Sequence, residues 1–329
     1  MSNVLVTGGA GYIGAHTAKA LSARGLTPVA FDNLSSGYRE AVRWGPLIEG
    51  DVRDAAAVAA AIRAYHCKAV IHFAALIEAG LSVKEPERFH DVNVGGTRAV
   101  LAAMTETGVA RLVFSSTGSF YDTAVARPMR EDDPIAPSNP YAETKVVAER
   151  LIGEACAEGA MSAIALRYFN ASGADESGLI GEAHQPETHL IPIAVESALG
   201  LRPPLTVNGA DYATPDGSCV RDYVHVSDLA DAHLAALELT REAGSFRAFN
   251  VGTGRGYSVL EVIGAIGAAL GRSLAYHVGP RRAGDPPAVV ADPSRARDEL
   301  GWTPTRSDLP SIVTGAIAWR RSPKYGRFS

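Results

Sequence analysis

Fold choice is constrained most by a run of glycines between a short apolar segment and a helix-like stretch near the N-terminus. Thr7-Gly8-Gly9-Ala10-Gly11-Tyr12-Ile13-Gly14 follows an expected strand at 4–7 and opens an expected helix at 14–24. It reads as GxxGxxG from Gly8, Gly11 and Gly14, or as GxGxxG from Gly9, Gly11 and Gly14. Early glycines allow a tight turn, Gly11 lets the backbone approach a pyrophosphate, and Gly14 lets the helix pack close to the sheet. The helix N-terminus then turns free N–H groups and positive dipole toward the phosphates. Loops of many folds match such a pattern, so context decides. Here the acidic Asp32 ends the second apolar run, 18 positions after Gly14. A carboxylate there accepts both ribose hydroxyls and repels a 2′-phosphate, which selects NAD over NADP. Asp51, after the third run, is placed to meet the adenine; a plain strand-end cap is its competing reading.

The rest of the first half repeats strand and helix. Strands are expected at 27–32, 47–49, 69–72, 111–115 and 163–168, and helices at 54–64 (Asp54 as N-cap), 85–107 and 142–157. Such alternation implies an α/β fold, a Rossmann-type doubly wound parallel sheet covered on both faces. After about residue 170 the chain turns irregular and rich in Gly, Pro, Asp and His, at 172–186 and 203–218. The expected division is a dinucleotide-binding domain at 1–171, with 222–251 returning to it. A smaller α/β substrate-binding lobe then comprises 172–221 and 252–329.

A second motif carries the chemistry. Tyr141 and Lys145, in YxxxK, share one helical face at i,i+4. A free phenol is a poor base at neutral pH, since its pKa lies near 10. An adjacent ammonium and the positive nicotinamide ring favour the phenolate. The hydroxyl of Thr117, near the end of the 111–115 strand, is suited to relay a proton to Tyr141. Ser115 and Ser116 also read as strand-end caps.

The net charge of −5 argues against nucleic-acid binding. Three scattered cysteines, Cys67, Cys156 and Cys219, have no metal-ligand spacing, and no metal is expected. Sparse cysteines suit a reducing compartment. No apolar run approaches the roughly 18 residues of a membrane span, so a cytoplasmic protein without membrane contact is expected.

TGGAGYIG, Asp32-Asn33, Ser115-Ser116-Thr117 and YxxxK together resemble the extended short-chain dehydrogenase/reductase family. Arg167-Tyr168-Phe169-Asn170, the segment Val220–His225, Asp211-Tyr212 with Asp216-Gly217, and Arg281-Arg282-Ala283-Gly284-Asp285 are similar to its UDP-glucose 4-epimerase branch. The resemblance covers nearly the whole chain and implies NAD-dependent interconversion of UDP-glucose and UDP-galactose. C4 is oxidised, the 4-keto sugar rotates, and the same hydride returns. It implies Tyr141 as acid/base, Thr117 as relay and Lys145 as the partner of Tyr141. Tyr12, Ile13, Asp32, Asn33, Asp51, Val52, Phe73, Ala74 and Ala75 match NAD-contact positions. Tyr168, Asn170, Leu190, Arg221, Arg282 and Asp285 match positions around the UDP-sugar. The arginines suit a diphosphate, although each alone also reads as a surface residue. The helices at 85–107 and 142–157 imply a homodimer in this family, and sheet coverage alone would also account for them.

Several positions depart from the family pattern: Ile77 for a Lys, Leu81 for a Glu, Val92 for an Asn found in some members, and Phe120-Tyr121-Asp122 for VYG. Asn208 replaces an aromatic near the uracil, and Val289 replaces a larger residue that limits sugar size. These changes bear on the substrate, leaving open a uronate, a pentose or an N-acetylhexosamine. Gly118-Ser119 stands where a 4,6-dehydratase has Asp-Glu, which removes its proton donor. A non-catalytic NAD(H)-binding sensor is the reading of a different class.

Overall fold

The computed structural model describes residues 2–124, 127–159, 161–240, 244–282 and 284–326. Ala283, in the arginine-rich motif, lies outside them. The strands in chain order are β1 (Asn3–Thr7), β2 (Thr27–Asp32), β3 (Leu47–Glu49), β4 (Cys67–His72), β5 (Arg111–Thr117), β6 (Ser162–Tyr168), β7 (Asn170–Ser172), β8 (Leu205–Asn208), β9 (Val220–His225), β10 (Phe246–Val251), β11 (Gly256–Ser258), β12 (Tyr276–Gly279) and β13 (Ala288–Val289). Seven of them form one sheet in the order β10-β6-β5-β4-β1-β2-β3, with every neighbouring pair parallel.

Strand alternation explains the two covered faces. Leu5, Val29, Phe31, Val70, Leu112 and Phe114 point to one face, where Val58, Ile62, Val100, Met104 and Ile152 from three helices meet them. Val4, Val6, Ile71, Val113, Ile164 and Phe249 point to the other, beneath Leu21, Leu229, Leu234 and Leu237. The expected fold class is therefore the observed one. The strand order reverses between β1 and β4, so the ends of these neighbours open the crevice where such sheets bind ligands.

The helix Val226–Leu239 and β10 return to the sheet. So do Ala296, Leu300 and Trp302, which were expected in the smaller lobe but pack on the sheet's second face. That lobe has its own core of Ile191, Val195, Val262, Ile266, Ile312 and Val313, from helices Leu190–Ala198, Val259–Leu270 and Leu309–Arg321. The helix expected at 85–107 is not uniform. Pro86–Phe89 and Gly96–Thr107 are α-helical, and His90–Gly95 between them is a π-helical turn.

Candidate active site

Each glycine of the N-terminal loop has its own contact. Gly8 adopts φ +72°, and a Cβ there would lie 2.7 Å from the amide nitrogen of Ala74. Only a glycine lets the loop after β1 touch the loop after β4 at the crevice. A Cβ on Gly9 would lie 2.7 Å from the Ala30 methyl of β2, and one on Gly14 would lie 2.2 Å from the Gly8 carbonyl oxygen. Close approach to the sheet thus belongs to Gly9. Gly14, expected to have that task, instead packs the helix onto its own entry loop. A Cβ on Gly11 meets only the Gly8 carbonyl oxygen, at 3.2 Å. Gly11 is the N-cap of the Tyr12–Ala23 helix, with no capping side chain and no acid in the first turn. The amides of Tyr12, Ile13 and Gly14 have no intrahelical acceptor, and this end fits an anionic pyrophosphate.

The remaining cofactor positions gather around this loop. Asp32 accepts from the amides of Ala10 at 3.0 Å and Leu34 at 2.8 Å, one at each carboxylate oxygen. Each oxygen keeps a lone pair, and burial raises the carboxyl's pKa. Asn33 is exposed and accepts from the Ser35 amide at 3.1 Å. Asp51 takes the Arg53 guanidinium at 2.9 and 2.6 Å, and this bonding holds its carboxyl down near 2, with a contribution from Asn33. Val52 is buried against Gly96. Phe73 donates its amide to the Thr7 carbonyl at 2.9 Å and packs its ring on His233 at 4.6 Å. Ala74 and Ala75 follow it, half-buried. The Tyr12 phenol, by contrast, donates to the Gly173 carbonyl at 2.6 Å. Its side chain fastens the helix to the second half of the chain.

Tyr141 is placed by a helix start written into the sequence. Asn139 accepts from the Ala142 amide at 3.0 Å and Pro140 occupies the first turn, so the helix Pro140–Ala157 begins one residue before Tyr141. Tyr141 thus lies at the positive end of the helix dipole. Its phenol lies beside Thr117, at the end of β5, close enough for that hydroxyl to pull its pKa down. Thr117 Oγ1 also donates to Ser119 Oγ at 2.9 Å and accepts from the Ser119 amide at 3.0 Å. Lys145 Nζ donates to the Ser115 carbonyl at 2.8 Å and lies 4.9 Å above the Phe114 ring. Burial lowers the ammonium's pKa to about 8 and raises the phenol's to about 12. Desolvation outweighs the lowering of Tyr141, which comes from Thr117, so in this state the phenol is an acid.

Three supports were missed in the sequence. Glu149 extends the Tyr141–Lys145 face by another turn; it receives Arg167 at 2.9 and 2.6 Å and Ser116 Oγ at 2.5 Å. This buried pair locks the helix to β5 and β6, and the i,i+4,i+8 spacing of 141, 145 and 149 was its signal. Arg167 also donates to the Tyr121 hydroxyl at 2.8 Å, so Phe120-Tyr121 is a buried anchor. Asn93, within the π-helical turn, bonds Thr144 Oγ1 at 3.0 Å and both the amide and carbonyl of Leu76, at 2.8 and 3.0 Å. Functional sites often carry such π-turns.

The sugar-nucleotide positions form two groups. Tyr168 lies opposite Thr117 in the sheet and shares a hydrogen bond with Ser115 Oγ. Asn170, on β7, donates to the Asp222 carbonyl at 3.0 Å. In the smaller lobe Arg221 pairs with Asp285, and the Asn208 amide oxygen, turned toward it, accepts from Arg282 Nε at 3.0 Å. Leu190 packs close by with Val207 and Cys219. Val289 joins the groups, because it lies opposite Arg221 in register and packs in a cluster with Phe120, Phe169 and Ala142. A Cβ on Gly118 would lie 2.6 Å from the Phe169 ring, so an acid cannot stand there without displacing it.

Comparison with known proteins agrees with this geometry. Residues 4–252 match the model of the NAD dependent epimerase/dehydratase family. The chain is 48% identical over 316 residues to a UDP-glucose 4-epimerase of Rhizobium leguminosarum bv. trifolii, covering 96% of each. It is similar to the Brucella ovis UDP-glucose 4-epimerase solved with NAD (47% identity, TM-score 0.94, 96% and 98% of the two chains). It is also similar to the Stenotrophomonas maltophila UDP-glucose-4-epimerase solved with NAD and formylated UDP-arabinopyranose (38%, TM-score 0.95, 98% of each). With a matched segment that spans most of its length and relatives this similar end to end, the chain belongs to the NAD dependent epimerase/dehydratase family.

Proposed function

We propose that this chain interconverts UDP-glucose and UDP-galactose by inverting C4 of the hexose, with NAD as a cofactor retained through the cycle. The placement of Tyr141 beside Thr117, at the end of β5 in the doubly wound sheet, carries the reading. The amides of Tyr12, Ile13 and Gly14, with Gly8 and Gly11 shaping the loop, hold the pyrophosphate. Asp32 and Asn33 hold the adenosine ribose, Asp51 and Val52 border the adenine, and Phe73, Ala74 and Ala75 line the wall toward β4. When bound, NAD supplies the acceptor and donor of the C4 hydride and a positive ring charge beside the phenol.

Tyr141 removes the O4 proton, with Thr117 relaying it, and returns one after the oxidised sugar has turned its other face. The helix N-terminus and Lys145 add positive potential that turns the buried acid into a base once a further cation sits beside it. Lys145 also holds the nicotinamide ribose. Arg221 and Arg282 grip the diphosphate, with Asp285 orienting Arg221. Leu190, Asn170 and Tyr168 border the sugar nucleotide. Grip concentrated on the UDP handle leaves the hexose free to rotate.

Residues 1–171 and 222–251 form the cofactor domain, and 172–221 with 252–329 the substrate lobe, apart from the Ala296–Trp302 return to the sheet. The helices flanking the active site pair with those of a second copy in a homodimer. Among the described residues no helix is long and apolar enough to cross a membrane. The three unpaired cysteines suit the cytoplasm. The test is purified chain mixed with UDP-galactose and no added NAD, beside UDP-linked N-acetylglucosamine, glucuronate and xylose. UDP-glucose should form fastest. A chain that carries NAD yet turns over none of the four is a sensor.

A further inference from the structure

Outside the site described above, two acids and two histidines converge in the segment between β7 and the Leu190–Ala198 helix. Glu-x-His occurs twice, as Glu182-Ala183-His184 and Glu187-Thr188-His189. One potential ligand atom from each lies within 4.8 Å of all the others. Glu182 Oε1 lies 3.1 Å from His184 Nδ1 and 3.0 Å from His189 Nδ1, and Glu187 Oε1 lies 2.9 Å from His189 Nδ1. Ligands about 2.1 Å from a tetrahedral zinc ion stand about 3.4 Å apart, so these three contacts are close to the spacing of a coordination shell and the remaining pairs stay within 4.8 Å.

We infer that Glu182, His184, Glu187 and His189 bind one divalent cation of the borderline class that imidazole and carboxylate select, zinc above all. The amides of Thr188 and His189 meet Glu187 Oε1 at 2.9 and 3.0 Å, but hydrogen bonding leaves one conflict in the cluster. The single proton on His189 Nδ1 faces carboxylate oxygens of both Glu182 and Glu187, whereas a cation at their centre satisfies both. Glu182 and Glu187 are 4% and 5% exposed, which makes uncompensated charge there costly. Arg320 reaches Glu187 Oε2 at 2.7 Å, but among the described residues no Lys or Arg pairs with Glu182. An arginine on the far oxygen of Glu187 is the outer partner that orients a ligating carboxylate. The ion would brace the segment that ends at Leu190, and its His184 ligand meets the Tyr12 ring edge-on at 6.1 Å.

The experiment uses untagged full-length chain stripped with EDTA and titrated with cobalt chloride, then with zinc chloride in competition. The expected result is one cobalt per chain with the strong visible absorption of tetrahedral geometry, displaced by zinc, and a melting temperature that rises with either ion. His184→Ala and His189→Ala should each weaken cobalt binding at least tenfold, since removing even an outer partner costs that much. The exposed His277→Gln should bind as the parent does. Should a site variant fail to fold, the parent chain decides. Absence of both the absorption and the melting shift overturns the site. So does binding that His277→Gln removes or that both site variants retain.

Discussion

At the scale of single residues, Tyr141 is governed by burial against bonding. Desolvation keeps the phenol protonated while Thr117 pulls the other way, so its basicity depends on what binds beside it. Tyr141→Phe should lower kcat by about 10²–10⁴-fold, the usual range for a lost proton-transfer group. NAD released on denaturing the variant should match that from the parent. Lys145 gives a pH-dependent prediction. Its folded pKa of about 8 lies below the ordinary 10.5, so the folded chain sheds this proton before the unfolded chain does. Stability must therefore rise with pH across that window. In urea titrations the parent should gain on Lys145→Met from pH 8 toward 10.5 and lose that gain as pH falls. The tyrosine, lysine and threonine were legible in the sequence because chemistry fixes their types and spacing. The Ser115 carbonyl that receives Lys145 was not, since a backbone acceptor leaves no mark on residue identity.

At the scale of elements, two glycines in one loop separate stability from binding. Gly14→Ala would drive a methyl to 2.2 Å from the Gly8 carbonyl oxygen, whereas Gly11→Ala brings one to 3.2 Å from the same oxygen, a far milder crowding. Gly14→Ala should lower both the melting temperature and NAD retention. Gly11→Ala should lower NAD retention, measured by equilibrium dialysis, with a smaller loss of melting temperature than Gly14→Ala. The Glu149–Arg167 pair makes a sharper case. Arg167→Met alone leaves a buried carboxylate and should cost about 3–5 kcal/mol in urea unfolding, and Glu149→Met added to it should recover much of that loss. Strands were readable because apolar runs on both faces leave few alternatives. The Asp54 cap was equally readable, and its side chain does accept from the Ala57 amide. The π-turn at His90–Gly95 was hidden, because nothing in the helical spacing of 85–107 separates π from α. The bonds of Asn93 to Leu76 and Thr144 accompany it, and they join residues far apart in sequence.

At the scale of the whole molecule, the doubly wound sheet was accessible from alternation plus the right-handed crossover rule, and so was the return of 222–251 toward it, whereas the second return at Ala296, Leu300 and Trp302 was not. Trp302 donates its indole N–H to the Asp228 carbonyl and packs on the sheet, a contact between distant segments that no local pattern announces. Light scattering should give about twice the 34.5 kDa chain mass if two copies pair through their flanking helices. A retained cofactor shuttling one hydride within one crevice is the central claim. Its most direct measurement follows deuterium from C4 of labelled UDP-galactose, with purified chain and no added NAD. The account predicts UDP-glucose carrying the label at C4, undiluted by solvent or by unlabelled NADH in the medium. Product that has lost the label, or a requirement for fresh NAD at each turnover, would contradict it.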